Sequence, residues 1–195
     1  MIPEIEWKNI THIFVTHGDP DHYWHLDRVA KASGAPVICN KTMVRNELDG
    51  MLVTGIKTTH GELILKLGPF SKTVKPGPQE RIGWGAIGFK IHLEGKMVVN
   101  LGDTLLHEKE WEKIKYPDVL MIPIGGRDAH NTMDEDEALK AVSIMRPKMV
   151  IPCHYNCPAF FTNKYSPADE QMFKTEVEKM GIKCVILHKG ESVFL

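Results

Sequence analysis

Two histidines and two aspartates lie within the six residues 17–22 of this chain, between an apolar, β-prone run at 10–15 and a helix-like stretch at 24–32. Such side chains avoid full burial unless they are paired or bind a metal. Because imidazole nitrogens and carboxylate oxygens together suit zinc, manganese or iron, the motif predicts a divalent metal site at the end of a strand. The alternative is a polar strand-to-helix loop in which Asp19 or Asp21 caps the helix.

Three further positions, His60, Asp103 and His154, also follow apolar strand-like runs. In α/β sheets, sites form beyond the carboxyl ends of strands, so we expect these side chains to converge with the first motif. Each position alone has a simpler interpretation: a surface-loop residue for His60, a helix cap for Asp103 and a satisfied core histidine for His154. Four such strand ends in one chain favour the metal site.

Strand-like and helix-like segments alternate along the chain, which predicts an α/β layered fold. The length of 195 residues fits a single domain over residues 1–195, with room for a sizeable core. Residues 86–93 and 96–101 flank Glu94 and Gly95, and this pattern predicts a β-hairpin that leads to Asp103.

The sequence also predicts three local features: a helix, a long loop and a helix cap. Residues 41–49 have a weak helical pattern, and residues 68–85 form a long loop rich in proline, glycine and lysine. Thr132 and Glu135 have the spacing of a capping box ahead of a helix that reaches Met145.

Charge and hydropathy exclude several classes of protein. The formal net charge is -1, which gives no overall attraction for nucleic acid or anionic membranes. No apolar run approaches the roughly 18 residues of a spanning helix. The first residues have neither a basic n-region nor an apolar h-region, so we expect no signal peptide and a cytoplasmic location.

The chain has four cysteines, too few for a disulfide scaffold, and no CxxC motif. We expect buried free thiols in a cytosolic protein. The alternative is a soft metal site, because Cys153 and Cys157 flank His154.

These motifs together resemble the metallo-β-lactamase fold superfamily. In that superfamily an H-x-H-x-D-H motif, a lone histidine, a bridging aspartate and a final histidine each follow a strand. The segments GDT at 102–104, PIGG at 123–126 and IPCHYN at 151–156 resemble, more closely, the metal-dependent hydrolases around ascorbate-6-phosphate lactonase. The similarity runs from about residue 10 to the C-terminus and implies an αββα sandwich with hydrolase activity.

The resemblance implies two divalent metal ions, either zinc, manganese or iron. The ligands of one ion would be His17, Asp19, His60 and Asp103. The ligands of the other would be Asp21, His22, Asp103 and His154. Asp103 would bridge the ions, and Asp21 and Asp103 are the expected catalytic residues. A water activated by the metals would attack a carbonyl or phosphoryl centre.

The sequence departs from the superfamily pattern in two places. Asp19 occupies the position of the second histidine, and its harder oxygen favours manganese, magnesium or iron over zinc. The strands that usually precede the motif have no counterpart in the first nine residues, so the expected sandwich lacks its N-terminal strands. Either the chain is a fragment, or another chain covers the exposed edge, and we therefore expect a homo-oligomer.

Five residues are expected to contact a small-molecule substrate. They are Trp84, Arg127, His130, Tyr155 and Asn156. Arg127 suits a phosphate or carboxylate because its guanidinium donates paired hydrogen bonds, although a solvated loop arginine is the alternative. The sequence predicts a hydrolase of a small ester, lactone or phosphate-bearing molecule. The alternatives are a phosphodiesterase or nuclease on the same metals, and a non-catalytic metal-binding or scaffold protein.

Overall fold

A computed structural model describes residues 4–40, 45–48, 50–67, 69–74, 85–127, 130–155, 168–188 and 190–195. Within these ranges a short 3₁₀ helix spans Glu4–Asn9. The α-helices are α1 (Pro20–Tyr23), α2 (Leu26–Ser33), α3 (Glu108–Trp111), α4 (Glu135–Met145) and α5 (Glu170–Lys179). The strands are β1 (Ile13–Phe14), β2 (Val37–Ile38), β3 (Arg45–Leu48), β4 (Met51–Lys57), β5 (Leu63–Leu67), β6 (Phe70–Val74), β7 (Ile87–Leu93), β8 (Lys96–Asn100), β9 (Val119–Pro123), β10 (Met149–Cys153) and β11 (Lys183–Cys184). None of the described helices has the length and apolar character that crossing a membrane requires.

Seven strands form the main sheet, in the order β11-β10-β9-β8-β7-β4-β3. Strands β8 to β11 are parallel to one another, whereas β7 runs antiparallel to both β4 and β8. Strand β4 therefore points in the same direction as β8, and the carboxyl ends of β4, β8, β9 and β10 meet at one edge. The segments after these four strands carry His60, Asp103, Gly125 and His154.

The first two strands form a separate parallel pair that packs on β4 and β7. Phe14 of β1 contacts Phe89 of β7, with ring centroids 5.1 Å apart. The backbone N–H of Ile87 donates a hydrogen bond to the carbonyl oxygen of Thr16 at 2.9 Å. Because β7 runs opposite to β4 and β8, its first residue holds His17 at the edge where their carboxyl ends meet.

Helices cover the opposite face of the main sheet. Along β4, Val53 packs toward the β1–β2 pair, whereas Ile56, on the opposite face of the strand, packs with the helical cluster. That cluster joins Leu120 of β9 to Val142 of α4 and Phe173 of α5, all fully buried. Burying one such side chain contributes about 1.5–3 kcal/mol, so this core fixes the strands that carry the polar edge.

Two local predictions are wrong in the described residues. The predicted helix at 41–49 contains β3, which pairs antiparallel with β4 so that Leu48 lies opposite Met51. The predicted loop at 68–85 contains β6, which pairs antiparallel with β5. In both places hairpin pairing overrides a weak local propensity. The parts of these segments outside the described residues are 41–44, 49, 68 and 75–84.

The capping box of α4 lies two residues later than the predicted pair of Thr132 and Glu135. The Asp134 carboxylate accepts a hydrogen bond from the backbone N–H of Glu137 at 2.9 Å, and the Glu137 carboxylate accepts one from the N–H of Asp134 at 3.3 Å. Both pairs have the same spacing, so the pattern does not separate them. Thr132 is instead buried, and its Oγ1 accepts a hydrogen bond from the N–H of Thr104 at 3.1 Å.

Candidate metal centre

Six histidine and aspartate side chains lie together where these strands end. His17 and Asp19 follow β1, His22 lies in α1, His60 follows β4, Asp103 follows β8 and His154 follows β10. The side chain of Asp21, the seventh predicted ligand, lies outside the described residues. The topology thus gathers residues that are far apart in the chain onto one edge.

The Asp103 carboxylate faces three of the histidines. Its Oδ2 atom lies 2.8 Å from His154 Nδ1, 3.3 Å from His22 Nε2 and 3.8 Å from His17 Nε2. The residue is buried, with 3% of its surface exposed. One carboxylate oxygen therefore lies at the centre of the cluster, which does not fit the alternative of a helix cap.

The Asp19 carboxylate faces His17 and His60. Its Oδ2 atom lies 3.4 Å from His60 Nε2 and 3.7 Å from His17 Nε2. Asp19 occupies the N-cap position of α1, but its side chain makes no capping hydrogen bond. The carboxylate is thus turned toward the histidines, and the simple capping interpretation of Asp19 fails.

Two of the histidine nitrogens that face the cluster have the form that a metal requires. Among the described residues, Nε2 of His17 and Nε2 of His60 are buried without a hydrogen-bond partner. His60 Nδ1 lies 2.8 Å from the carbonyl oxygen of Gly61. A carbonyl only accepts, so Nδ1 carries the proton of the neutral ring, and the lone pair of Nε2 points into the site.

Two overlapping sets of three residues could each hold a metal ion, because within each set the potential ligand atoms lie within 4.8 Å of one another. One set is His17, Asp19 and His60, and the other is His17, His22 and Asp103. Nitrogen and carboxylate donors at this spacing suit zinc, iron or manganese. The residues present therefore fit a divalent metal ion.

Electrostatics keep two of these groups in their ligand forms. Burial, together with the neighbouring His22, lowers the pKa of His17 to about 3, so its ring is neutral near pH 7. Burial acting alone would raise the pKa of Asp103. Hydrogen bonds from His154 and His22 outweigh that effect and hold the pKa of this carboxyl below its usual range. A neutral imidazole and an ionised carboxylate are the forms that bind metals.

The five predicted substrate contacts have different surroundings. The guanidinium of Arg127 donates two hydrogen bonds, from Nε and Nη2, to Oε2 of the buried Glu135, each at 3.2 Å. His130 is exposed, and Tyr155 is partly buried against the main helical core. Trp84 and Asn156 lie outside the described residues. The paired donors of Arg127 thus already have a carboxylate partner within the chain.

Comparison with known proteins gives the family. Residues 3–154 match the family described as Beta-lactamase superfamily domain. The UPF0173 metal-dependent hydrolase of Carboxydothermus hydrogenoformans is 33% identical over 193 residues, which cover 94% of this chain and 81% of the relative. The chain belongs to the UPF0173 metal-dependent hydrolase family of the beta-lactamase superfamily. The hydrolase of the same family from Pyrococcus furiosus is 32% identical, with 97% of this chain and 84% of the relative covered.

Solved structures agree with this assignment. Igni18, a metallo hydrolase from Ignicoccus hospitalis, is 26% identical, with a TM-score of 0.71 over 94% of this chain and 78% of that chain. The metallo-beta-lactamase fold protein YhfI from Bacillus subtilis, at 11% identity, has a TM-score of 0.65 over 96% of this chain and 78% of that chain, and indicates the fold alone. The predicted α/β fold of metallo-β-lactamase type is confirmed. The comparisons support the superfamily and the hydrolase family, and not the narrower lactonase group.

In this hydrolase, hydrogen bonds between loops hold together two of the turns that carry the clustered side chains. Thr59 donates its N–H to Thr104 Oγ1 at 3.0 Å, and Leu105 donates its N–H to the carbonyl oxygen of Thr59 at 2.9 Å. These two bonds fasten the turn that precedes His60 to the turn that follows Asp103. The role of Thr104 was not predicted from the sequence, although the threonine of the GDT segment was a visible signal.

Proposed function

We propose that this hydrolase binds two divalent metal ions and cleaves a small ester, lactone or phosphate-bearing molecule. One ion would be held by His17, Asp19 and His60. The other would be held by His22, Asp103 and His154, with Asp103 between the two. The predicted roles of Asp21, as ligand and as catalytic residue, belong to the same proposal.

The observation that carries this proposal is the pair of buried, unpartnered nitrogens, Nε2 of His17 and Nε2 of His60. A buried polar atom without a partner costs about 1–3 kcal/mol. Both atoms face the carboxylate of Asp19, at 3.7 and 3.4 Å. A cation between these three groups would give both nitrogens a partner and would neutralise the aspartate.

A bound divalent ion supplies a Lewis acid, which acidifies water and polarises the bond under attack. The side chains of the protein prepare the site for that chemistry. Asp103 keeps its negative charge because hydrogen bonds from His154 and His22 lower its pKa. His17 keeps its lone pair near pH 7 because burial lowers its pKa to about 3.

Charge supports a small substrate more than a nucleic acid. The formal net charge of the chain is -1, and nucleic-acid affinity depends largely on basic groups that neutralise phosphates. Arg127 is ion-paired with Glu135 but half-exposed, with 51% of its side-chain surface accessible. Arg127 could therefore bind a phosphate-bearing substrate only if the phosphate competes with Glu135 for the guanidinium.

The test is metal content and turnover of the purified chain. We expect bound metal by plasma emission, and cleavage of members of a panel of lactones, small esters and phosphomonoesters. A chelator should abolish turnover, and added metal should restore it. His60→Gln should lower the metal content, whereas His92→Gln, in β7 away from the cluster, should leave it unchanged.

Two outcomes would replace the proposal. Turnover of the phosphodiester bis-p-nitrophenyl phosphate, without turnover of any compound in the panel, would assign a phosphodiesterase or nuclease. Bound metal without turnover of any compound in the panel would favour a non-catalytic metal-binding protein. Equal metal content in wild type and His60→Gln would remove His60 from the ligand set.

A further inference from the structure

Asn131, in the segment between β9 and α4, contacts the turn that carries His60 and the turn that carries His154. Its carbonyl oxygen accepts a hydrogen bond from the N–H of Gly61 at 2.7 Å, directly after His60. The packing there is close, since a Cβ on Gly61 would lie 3.0 Å from Asn131 Cα. Its side-chain Nδ2 lies 3.5 Å from Nε2 of His154.

His154 presents its two ring nitrogens to two different partners. Nδ1 faces Asp103 Oδ2 at 2.8 Å, and Nε2 faces the amide of Asn131. An ionised carboxylate only accepts hydrogen bonds, so in this arrangement Nδ1 carries the proton and Nε2 accepts from the Asn131 amide NH₂. The amide oxygen, Oδ1, is buried and has no hydrogen-bond partner among the described residues.

Metal binding at Nδ1 would change Nε2 of His154 from a hydrogen-bond acceptor to a donor. When Nδ1 gives its lone pair to an ion, the proton of the neutral ring lies on Nε2, which then needs an acceptor. The amide NH₂ of Asn131 cannot accept. A half-turn about the last side-chain bond of Asn131 exchanges its NH₂ group with its oxygen at almost constant shape.

We propose that Asn131 is a positioning residue whose amide turns over when His154 binds metal, so that Oδ1 accepts the Nε2 proton. In the metal-free protein the same amide donates to Nε2. Asn131 therefore holds the ring in one orientation in both states, with Nδ1 toward Asp103. This inference rests on the proposed metal centre, in which His154 is a ligand.

The direct test uses the wild-type chain and zinc alone, with ¹⁵N spectra of the histidine rings at about pH 8, above the usual histidine pKa. The His154 signals are identified by their loss in His154→Gln. We expect the proton on Nδ1 in the metal-free protein and on Nε2 in the zinc-loaded protein. A proton that stays on Nδ1 after zinc binding would overturn the proposal.

Variants supply a second measurement, the dissociation constant for zinc by competition with a chelator. Asn131→Ala removes the acceptor and should raise this constant at least about tenfold, the lower range for loss of such an outer partner. Asn131→Asp keeps an acceptor at the same place and should stay within about threefold of wild type. An unchanged constant in Asn131→Ala, or an equal loss in the alanine and aspartate variants, would contradict the proposal.

Asn40→Ala is the matched control, because Asn40 also donates side-chain hydrogen bonds between loops, to the carbonyl oxygens of Gly85 and Ala86 at 3.3 and 3.1 Å. It should change the melting temperature without changing the zinc constant. If wild type binds no zinc, the proposed metal centre fails. If wild type binds zinc and Asn131→Ala binds it equally well, only the role of Asn131 fails.

Discussion

Nδ1 of His154 lies 2.8 Å from Oδ2 of Asp103, although β9 separates the strands that precede these two residues. At the end of β9, the N–H of Ile124 donates to the carbonyl oxygen of Cys153 at 3.1 Å. A Cβ on the next residue, Gly125, would lie 2.1 Å from the carbonyl oxygen of His154. The contact between His154 and Asp103 thus depends on a strand that supplies none of the six clustered side chains.

Gly125→Ala should therefore weaken both the fold and the metal site. The added methyl would collide with backbone, and overpacking of this kind costs about 1–3 kcal/mol. We expect a lower free energy of unfolding in urea and a higher dissociation constant for zinc. Gly95→Ala is the control, since Gly95 has φ +74° and open space around it. It should cost about 1–2 kcal/mol and leave zinc binding unchanged. Equal zinc affinity in both variants would contradict this account of Gly125.

Asp103→Ala should lower metal content more than any other single change at the site. Asp103 Oδ2 faces His17, His22 and His154, so its loss removes the negative charge that both proposed ions share. His154→Ala should mainly weaken one ion. Plasma emission on each purified variant measures the difference, with Asp136→Ala, an exposed position of α4, as control. Metal content in Asp103→Ala equal to that of wild type would refute the bridging role.

Asp19→His should move the metal preference toward zinc. Asp19 supplies a carboxylate oxygen 3.4 Å from His60 Nε2, where the superfamily pattern has an imidazole, and harder ligands favour harder ions. We expect manganese or iron to support turnover of the wild type better than zinc, and the variant to reverse that ranking. The measurement is the activity of metal-free protein reconstituted with each ion. An identical ranking in both proteins would mean that Asp19 does not select the metal.

The positions of the clustered histidine and aspartate side chains were visible in the sequence because each follows a strand-like run. A parallel arrangement of strands brings their carboxyl ends to one edge, so residues that directly follow such strands lie close together in the fold. The supporting contacts were not visible. Asn131 and Gly61 pair through backbone atoms of two loops that are remote in sequence, and the backbone is common to all residues. Which backbone groups pair in this way is known only once the fold is known.

The fold was predictable at the level of class and less so at its hairpins. The alternation of strands and helices gave the α/β class. The histidine and aspartate motif predicted the metal site, and the resemblance of the motifs to the metallo-β-lactamase superfamily gave the metal-dependent hydrolase. Strand β3 was mistaken for a helix because Arg45–Leu48 has little β propensity and is held by its pairing with β4. The expectation of a homo-oligomer stays a prediction.

The last prediction concerns Asp118, which immediately precedes β9 and lies away from the proposed metal centre. Its Oδ1 accepts a hydrogen bond from Lys148 Nζ at 2.8 Å, and its Oδ2 accepts one from the N–H of Met97 at 2.7 Å. The hydrogen bond from Lys148, aided by that from Met97, lowers the pKa of this carboxyl. The unfolded chain therefore takes up a proton at a higher pH than the folded chain, and the stabilisation is lost as the pH falls through the folded pKa.

Asp118→Asn should remove that pH dependence while keeping an acceptor for Met97. The pair with Lys148 is partly exposed, so we expect the variant to be less stable than wild type by up to about 1 kcal/mol at neutral pH. The difference should shrink below about pH 4, because protonation then removes the charge in the wild type as well. Urea unfolding of both metal-free proteins between about pH 3 and pH 7 measures this, since contributions that the two proteins share cancel in the difference. Lys148→Met should reproduce the neutral-pH loss, and a difference that is constant or grows as the pH falls would show that the ionised Asp118 carboxylate does not stabilise the fold.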